Sequence, residues 1–422
     1  MSDTKSPDVI DDSAAPIPVV DPRLLVREQG LKGYLTEFKR KVRGGELGSI
    51  PVILGLIVIG VIFQSLDESF LSADSLSNIG IYVAGQGIMA VGIVFVLLLG
   101  EIDLSVGSVA GVGAAIWAVL SVTHGMGDSL SVLAAIAAGA VIGGLHGFFF
   151  ARVGVPAFVV TLAGFLGWSG LQIWLMGQEG SINTPSGSIV DQLTNYYFED
   201  ISAAYGLALV ASAAYLGSML LDSRRRRTAG LPSRPASEIA LRTGVVAALS
   251  FIAAYELNQS RGLPLALVIF LVVLVFADFV VRRTTYGRQI FAVGGNAEAA
   301  RRAGINVVKI RITVFTIAGT LAVVGGLFIA SLSGGATKSL GAGNTLMNVI
   351  AAAVIGGTSL FGGRGKIWSA LLGMLVIQSI QQGLNLLGMA SEIQYMITGA
   401  VLLAAVVIDS VSRRTQKSAG RT

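Results

Sequence analysis

The chain has 422 residues, of which 53% are hydrophobic and only 13% are charged. Soluble domains carry about 25% charged residues, so this composition and a mean hydropathy of +0.74 exclude a soluble globular protein and predict an all-α polytopic membrane protein. The absence of cysteine excludes disulfides, thiolate metal sites and cysteine nucleophiles. The net charge of +5 comes from basic residues that flank apolar segments, which indicates membrane topology rather than nucleic-acid binding.

The first 48 residues precede the apolar part of the chain. Residues 1–22 are polar and acidic and lack the apolar core of a signal peptide, so we predict a disordered cytoplasmic tail. In residues 23–48, apolar side chains recur at three- and four-residue spacing opposite lysine and arginine, which predicts an amphipathic helix on the inner membrane surface. Residues 413–422 are predicted to form a second cytoplasmic tail, which leaves 49–412 as the transmembrane domain.

Twelve apolar runs are long enough to cross a bilayer, since about 20 residues at about 1.5 Å each cover a hydrocarbon core of about 30 Å. They span residues 49–66, 79–100, 104–123, 130–150, 156–176, 204–221, 238–257, 264–281, 313–332, 346–363, 367–387 and 393–410. Segments broken by Gly100 and Gly357 are either full crossings or half-helices. The sequence therefore predicts 10 to 12 transmembrane helices.

The charges between these runs predict an orientation. If the N-terminal tail lies inside, alternation of the runs places all the strongly basic segments inside, at 151–155, 222–237, 282–312, 364–366 and 413–422. The loops assigned outside, 67–78 and 177–203, are acidic. Because cytoplasmic loops carry an excess of lysine and arginine, we predict that both termini are cytoplasmic.

The loop at 282–312 is the longest polar interruption in the second half of the chain. Asn296 is a good N-cap for a helix of about seven residues, and Gly304 can close that helix in the left-handed conformation. Glu298 and Arg302 lie four residues apart with the acid first, yet a helix of two turns is not stable alone in water. The loop is either a docking helix for a soluble partner or a basic segment on the membrane surface.

A second polar stretch, Gly100 to Gly107, places Glu101 and Asp103 between long apolar runs. A charge in mid-membrane costs at least about 3 kcal/mol, so these carboxylates have two interpretations. Either Asp103 caps a helix beginning at Leu104, or the turn lines the solute path or its gate. The path or gate candidates in this turn are Glu101, Asp103, Ser105 and Gly107.

Neutral polar residues mark the late apolar runs. The pattern Gly-x-x-Asp/Ser-Leu-x-x-Gly of residues 100–107 recurs at 356–363, with Ser359 in the place of Asp103, which suggests an internal repeat. The residues Asn348, Gln378, Gln381, Gln382 and Asn385 either bind a neutral, hydroxyl-rich solute or hydrogen-bond one another between helices. We include Asn348, Ser359, Gln382 and Asn385 among the path candidates.

No residues for chemistry or cofactor binding stand out. The two histidines, His124 and His146, lie too far apart for a metal pair, and we expect His146 to be a packing residue. Residues 361–366 resemble a phosphate-binding loop but lack its first glycine and its final serine or threonine. We therefore predict no catalytic residue, no metal and no cofactor.

Glycines spaced four apart predict close helix packing, because lipid supplies no hydrophobic drive for helix association. The two series are Gly107-x-x-x-Gly111 and Gly139-x-x-x-Gly143-x-x-x-Gly147. We expect helix backbones to approach closely at both.

Four blocks of sequence together resemble the permease subunits of bacterial ATP-binding-cassette importers for simple sugars, the ribose, galactose, arabinose and xylose group. They are GEIDLSVGS at 100–108, VPAFVVTLAG at 155–164, YGRQIFAVGGNAEAARRAGINV at 286–307 and IAAAVIGGTSLFGGRGKI at 350–367. A further pair of apolar runs around the basic residues 224–227, followed by Arg-Gly-Leu-Pro at 261–264, is most similar to the xylose type.

The resemblance implies the permease fold of these importers in the bacterial inner membrane, with no enzymatic activity of its own. It implies three protein partners: a cytoplasmic ATPase, an extracytoplasmic sugar-binding protein and a second permease copy in a homodimer. Carried onto this sequence, the ATPase-coupling residues are Gly287, Arg288, Gly294, Gly295, Asn296, Glu298, Ala300, Arg301 and Gly304. One departure is Glu101, where relatives often have glycine.

The function expected from these observations is ATP-driven import of a monosaccharide, with a pentose such as xylose as the leading substrate class. The alternative is a proton-coupled secondary transporter that uses Glu101 and Asp103. The acidic outer loop at 177–203 is the candidate contact for the sugar-binding protein, and membrane lipid is the remaining partner.

Overall fold

A computed structural model of the chain describes residues 50–231 and 233–418. The predicted N-terminal tail and amphipathic helix lie outside the described residues. The helices are α1 (Ile50–Leu66), α2 (Ala73–Leu98), α3 (Val106–Ala118), α4 (Asp128–Phe148), α5 (Ala157–Met176), α6 (Ile189–Asn195), α7 (Ile201–Thr228), α8 (Ala236–Gln259), α9 (Leu265–Arg283), α10 (Thr285–Gly295), α11 (Ala297–Arg302), α12 (Val307–Leu332), α13 (Asn344–Ile355), α14 (Trp368–Leu386) and α15 (Ser391–Ser418). Helices α3 and α4 each continue into a π-helical turn, Val119–Thr123 and Phe149–Val153.

Helix α2 forms the centre of the bundle, and most of its side chains between Ile79 and Leu98 are buried. Around it pack α9, α12, α13 and α14, and α12 also packs along α3 and α4. Helices α7 and α8 pack mainly against each other and touch the bundle through α8 and α2. They form a peripheral hairpin beside a compact core.

The loops gather at two opposite ends of the bundle. At one end, which we call the strand end, two short antiparallel pairs join β1 (Ser181–Asn183) to β4 (Gly335–Thr337) and β2 (Tyr197–Phe198) to β3 (Leu263–Pro264). At the other, the junction end, the turns after α2 and α13 meet the C-terminus of α10. The loop at 177–203 and the loop at 282–312 therefore lie at opposite ends of the bundle, whereas the Gly100 and 282–312 stretches share the junction end.

The all-α polytopic architecture predicted from the sequence is confirmed. Within the described residues, eight helical segments are long and apolar enough to cross a membrane, and α1 and α13 are shorter apolar helices. Each of the twelve predicted runs contains a helix.

The predicted span at 346–363 is wrong in its extent, because its helix, α13, has only 12 residues and ends at Ile355. Gly357 follows with φ of +102°, a left-handed conformation that side chains with a Cβ rarely adopt. At about 1.5 Å per residue, α13 covers little more than half of a hydrocarbon core. Of the two alternatives for the segment broken by Gly357, a full crossing or a half-helix, the structure therefore shows the half-helix.

The predicted close packing of Gly139, Gly143 and Gly147 is confirmed. All three face the backbone of α12 between Ile312 and Gly319, and a methyl group added at Gly147 would lie 2.6 Å from the Ile312 Cα. Gly107 and Gly111 also make close contacts, but with the loop before α13 and with a side chain of α5 rather than with a packed helix backbone. Small residues thus let α4 and α12 approach more closely than larger side chains would allow.

Gly143→Ala should destabilise the protein, because the added methyl group would lie 2.9 Å from the Phe315 carbonyl carbon and 3.0 Å from the Thr316 Cα. Overpacking of this kind costs about 1–3 kcal/mol. Gly144→Ala is the matched control, since its methyl group meets only the Thr316 hydroxyl at 3.5 Å and alanine favours the helix. Thermal unfolding in detergent should show a lower midpoint for the first variant only; equal midpoints would contradict the close packing.

Candidate functional site

The short helix α11 has the local structure that the sequence predicts. The Asn296 side-chain oxygen accepts hydrogen bonds from the backbone N–H groups of Glu298 and Ala299, at 3.0 and 2.9 Å. Gly304 follows the helix with φ of +83°. The N–H of Ile305 donates to the Ala300 carbonyl at 3.0 Å, which closes the helix with the bond pattern typical of a glycine C-terminus.

Helix α11 is anchored on one side and charged on the other. Ala300 is buried, whereas the side chains of Arg301 and Arg302 are 62% and 80% exposed. Both arginines pair with Glu298, at 2.8 and 3.4 Å. Exposed pairs of this kind contribute little stability, so these three charges are available to a partner surface.

Helix α10 fixes the position of α11. The Thr284 hydroxyl accepts a hydrogen bond from the Gly287 N–H at 3.2 Å, and a Cβ on Gly287 would collide with the backbone of Val281. The Tyr286 hydroxyl lies 2.8 Å from the Thr313 hydroxyl of α12. Arg288 is exposed, so the buried face of α10 is held against α9 and α12 while its outer face stays polar.

Three glycine-containing segments meet at the junction end, and we call this contact the glycine junction: residues 98–100, 294–295 and 362–363. The N–H of Gly363 donates to the Leu98 carbonyl at 2.9 Å. A Cβ on Gly294 would overlap that carbonyl oxygen and lie 2.9 Å from the Gly363 nitrogen. Gly295, one residue on, has open space at its Cβ position. At Gly294 the loop at 282–312 thus approaches the turn after α2 backbone to backbone.

The turn at 99–105 is held by Asp103, which does not cap a helix beginning at Leu104. Helix α3 begins at Val106. One Asp103 carboxylate oxygen accepts from the Ser105 N–H at 2.8 Å and from the Ser105 hydroxyl at 2.6 Å. Asp103 is 4% exposed, and these local hydrogen bonds satisfy one oxygen of its buried side chain.

A buried chain of polar side chains continues from this turn into the bundle. The Ser105 hydroxyl lies 3.3 Å from His146 Nδ1, and the Trp168 indole N–H donates to His146 Nε2 at 2.8 Å. Because indole nitrogen only donates, Nε2 is the acceptor and the ring proton of neutral His146 is assigned to Nδ1. The sequence analysis indicated only a packing role for His146. Its hydrogen-bond partners could not be predicted from neighbouring residues, because they lie on two other elements of the fold.

The turn at 356–367 repeats one feature of the first. The Phe361 N–H donates to the Ser359 hydroxyl at 3.1 Å, as the Ser105 N–H donates to Asp103. Ser359 and Asp103 hold the same place in the repeated sequence pattern, and both are buried. The shared bond supports the internal repeat suggested by the sequence.

Glu101, in the turn at 99–105, interacts electrostatically with Arg311 of α12. Burial raises the pKa of Glu101, and the positive charge of Arg311 opposes that shift. Arg311 also interacts electrostatically with Arg301 of α11 and lies over the Phe150 ring, 4.3 Å from its centroid. A line of charges therefore connects α11 through Arg311 to the Gly100 turn.

A second group of predicted residues forms a polar cluster between α2, α13 and α14. The amide groups of Asn348 and Gln378 both donate to the Gln86 side-chain oxygen, at 3.5 and 3.3 Å, and Gln382 donates to the Ser75 hydroxyl at 3.2 Å. The Asn348 side-chain oxygen is buried without a hydrogen-bond partner. The cluster therefore has unused capacity to accept a hydrogen bond.

The structure divides the predicted path residues into two groups. Glu101, Asp103, Ser105 and Ser359 lie at the junction end, and Gly107 lies in the first turn of α3 against Gly341. Asn348 and Gln382 belong to the polar cluster. Asn385 lies apart from both groups, at the end of α14, where its side-chain oxygen accepts from Gln394 at 2.8 Å. No cluster of metal-ligating side chains occurs within the described residues.

Comparison with known proteins decides the family. Residues 75–406 match the family model described as the branched-chain amino acid transport system permease component. The chain belongs to this permease family. As a member of it, the chain is a multi-pass membrane transport component and not an enzyme, and the resemblance inferred from the four sequence blocks is confirmed.

Several relatives match over most of this permease. It is 34% identical over 365 residues to the xylose transport system permease protein XylH of Escherichia coli, which covers 86% of this chain and 92% of the relative. XylH of Haemophilus influenzae is 32% identical over 373 residues, covering 87% and 98%. The ribose import permease protein RbsC of Bacillus subtilis is 31% identical over 374 residues, covering 89% and 96%. No solved structure matches the permease.

Glu101→Gln should stabilise the permease at neutral pH, because burial penalises the ionised carboxylate in the folded state. A raised pKa means that the folded protein binds the proton more tightly, so the penalty disappears as the pH falls through the folded pKa. The gain in thermal midpoint should therefore shrink on acidification. Glu179→Gln, at an exposed loop position, is the control; a lower midpoint for Glu101→Gln at pH 7 would show that Arg311 outweighs burial.

Proposed function

We propose that this permease imports a monosaccharide, with a pentose such as xylose as the leading substrate, and that a separate ATPase drives the transport. The family model names amino acids, whereas the relatives above transport xylose and ribose by name. The observation that carries the sugar assignment is the polar cluster, in which Gln86, Asn348, Gln378 and Gln382 contribute only neutral amides. Amides suit hydroxyl groups; the zwitterion of an amino acid calls for opposing charges.

The orientation that we propose places the junction end in the cytoplasm. This end carries Arg152, the arginines at 224–227 and the basic polar loop, whereas the strand end carries Asp74, Asp128 and the acidic loop at 177–203. An excess of lysine and arginine is the mark of the cytoplasmic side. Both termini are then cytoplasmic.

The ATPase docks on the polar loop in this account. The exposed face of α11 offers Glu298, Arg301 and Arg302, and the buried face transmits force to α10 and α12. Gly294 connects α10 to the Leu98 carbonyl, so a displacement of α11 reaches the turn after α2. The remaining coupling residues lie within α10 and α11 or at their ends. They are Gly287, Arg288, Gly295, Asn296, Ala300 and Gly304.

The sugar-binding protein docks at the strand end. Tyr196 is 45% exposed there, and Arg261 lies 4.7 Å from the Tyr197 ring centroid. Burial raises the pKa of Tyr197. We further propose that two permease copies form the complete importer, surrounded by lipid.

The direct test is uptake of labelled xylose by vesicles that contain the permease, its ATPase and its sugar-binding protein. Uptake should require ATP, survive a protonophore and be reduced by excess ribose more than by excess leucine. Uptake abolished by the protonophore would favour a proton-coupled transporter that uses Glu101 and Asp103. Uptake of leucine in place of xylose would contradict the sugar assignment.

In the same vesicles, Gly294→Ala should separate ATP hydrolysis from uptake, because its methyl group cannot fit against the Leu98 carbonyl. We expect uptake to fall at least about tenfold, the equivalent of about 1.4 kcal/mol, with ATPase activity retained. Gly295→Ala is the matched control, since its Cβ position is open, and it should transport normally. Equal uptake by the two variants would contradict the role of the glycine junction.

A further inference from the structure

A cavity of about 350 Å³ opens at the junction end between the π-helical turn that ends α4 and the first two turns of α12. Its lining residues are Arg152, Asn306, Val308, Lys309, Ile312 and Thr313. Two segments distant in sequence thus place an arginine and a lysine around one space. None of the coupling residues lines it.

Among the residues that the structure describes, the two cations of this cavity have no acidic partner. Arg152 and Lys309 form no ion pair within the described residues, whereas Arg226 pairs with Asp222 and Arg301 with Glu298. No acidic side chain lines the cavity in the part of the chain that the structure describes. Like charges around a shared space repel each other, and an anion bound there would relieve that repulsion.

The surroundings of the cavity are apolar and face outward from the bundle. Val308 and Ile312 form part of its wall. On α4, Val141 and Phe148 are 62% and 45% exposed, and their spacing of seven and then four residues to Arg152 places all three on one helix face. An exposed apolar surface, which we call the apolar track, therefore runs along α4 towards Arg152, one of the two cations of the cavity.

We propose that this cavity binds the phosphate of an anionic glycerophospholipid, with an acyl chain lying along Val141 and Phe148. A phosphate diester supplies the negative charge that Arg152 and Lys309 lack, and the exposed apolar track supplies the surface that an acyl chain covers. A free phosphate ion would leave that track without an occupant. The site rests on the membrane location of the helices and is independent of the transported solute.

Native mass spectrometry of the purified permease with dioleoylphosphatidylglycerol or dioleoylphosphatidylcholine tests this proposal. The wild-type protein should retain the anionic lipid selectively. Because each basic residue near the membrane surface contributes about fivefold to binding of anionic lipid, the Arg152→Gln/Lys309→Gln double variant should lose up to about thirtyfold in selective retention. The charge-preserving Arg152→Lys/Lys309→Arg variant should keep it.

The matched control is Arg224→Gln/Arg225→Gln, which removes two basic residues at the end of α7 and should keep the selectivity. An equal loss of lipid selectivity in both glutamine variants would show that the effect depends on general surface charge, and it would overturn the proposed site. Displacement of the anionic lipid by inorganic phosphate alone would also overturn the proposal. So would an Arg152→Gln/Lys309→Gln variant that retains lipid selectivity but loses ATPase binding. The charge-preserving variant distinguishes loss of charge from loss of folding, and uptake activity does not enter any of these measurements.

Discussion

The contact between Gly294 and the Leu98 carbonyl is the constraint on which the rest of this structure depends. Side chains are absent from that contact, so it has none of the rotamer freedom by which packed side chains absorb small movements. The Gly363 N–H also donates to the same carbonyl, which joins three segments at one oxygen atom. A displacement of the polar loop therefore acts on the backbone of two turns at once.

From the glycine junction, two routes lead into the membrane-spanning part. The turn at 99–105 is tied through Ser105 to His146 and Trp168, and hence to α4 and α5. The turn at 356–367 joins α13 to α14, whose polar residues meet Gln86 of α2. Helix α13 is short, and the turn that separates it from α14 contains Gly357, Gly362 and Gly363 with positive φ. Packed helix bundles change by discrete shifts of their elements rather than by continuous deformation.

The features that the sequence predicted correctly are those that depend on residues close together in the chain. The cap at Asn296, the pairing of Glu298 with Arg302 and the left-handed Gly304 all depend on neighbours within about six residues, and each is present. The spacing of Gly143 and Gly147 predicted close packing for the same reason, although it did not identify α12 as the partner. The family, too, was recognisable from blocks that are continuous in sequence.

The contacts that sequence reasoning missed join distant segments. Nothing near His146 indicates Trp168 or Ser105, and nothing near Asn348 indicates Gln86. The collision that makes Gly294 necessary, while leaving Gly295 open, depends on an oxygen almost two hundred residues earlier in the chain. Asp103 shows the intermediate case: the residue was singled out correctly, but its bond to Ser105 delays the start of α3 to Val106.

The most direct test of the account is the side of the membrane on which α11 lies. The chain has no cysteine, so a single Arg302→Cys variant reports that one position, which is 80% exposed. A membrane-impermeant maleimide should label it in inside-out vesicles and not in intact cells, whereas Glu179→Cys at the strand end should show the reverse. Labelling of Arg302→Cys from outside intact cells would contradict a cytoplasmic coupling helix and the mechanism built on it.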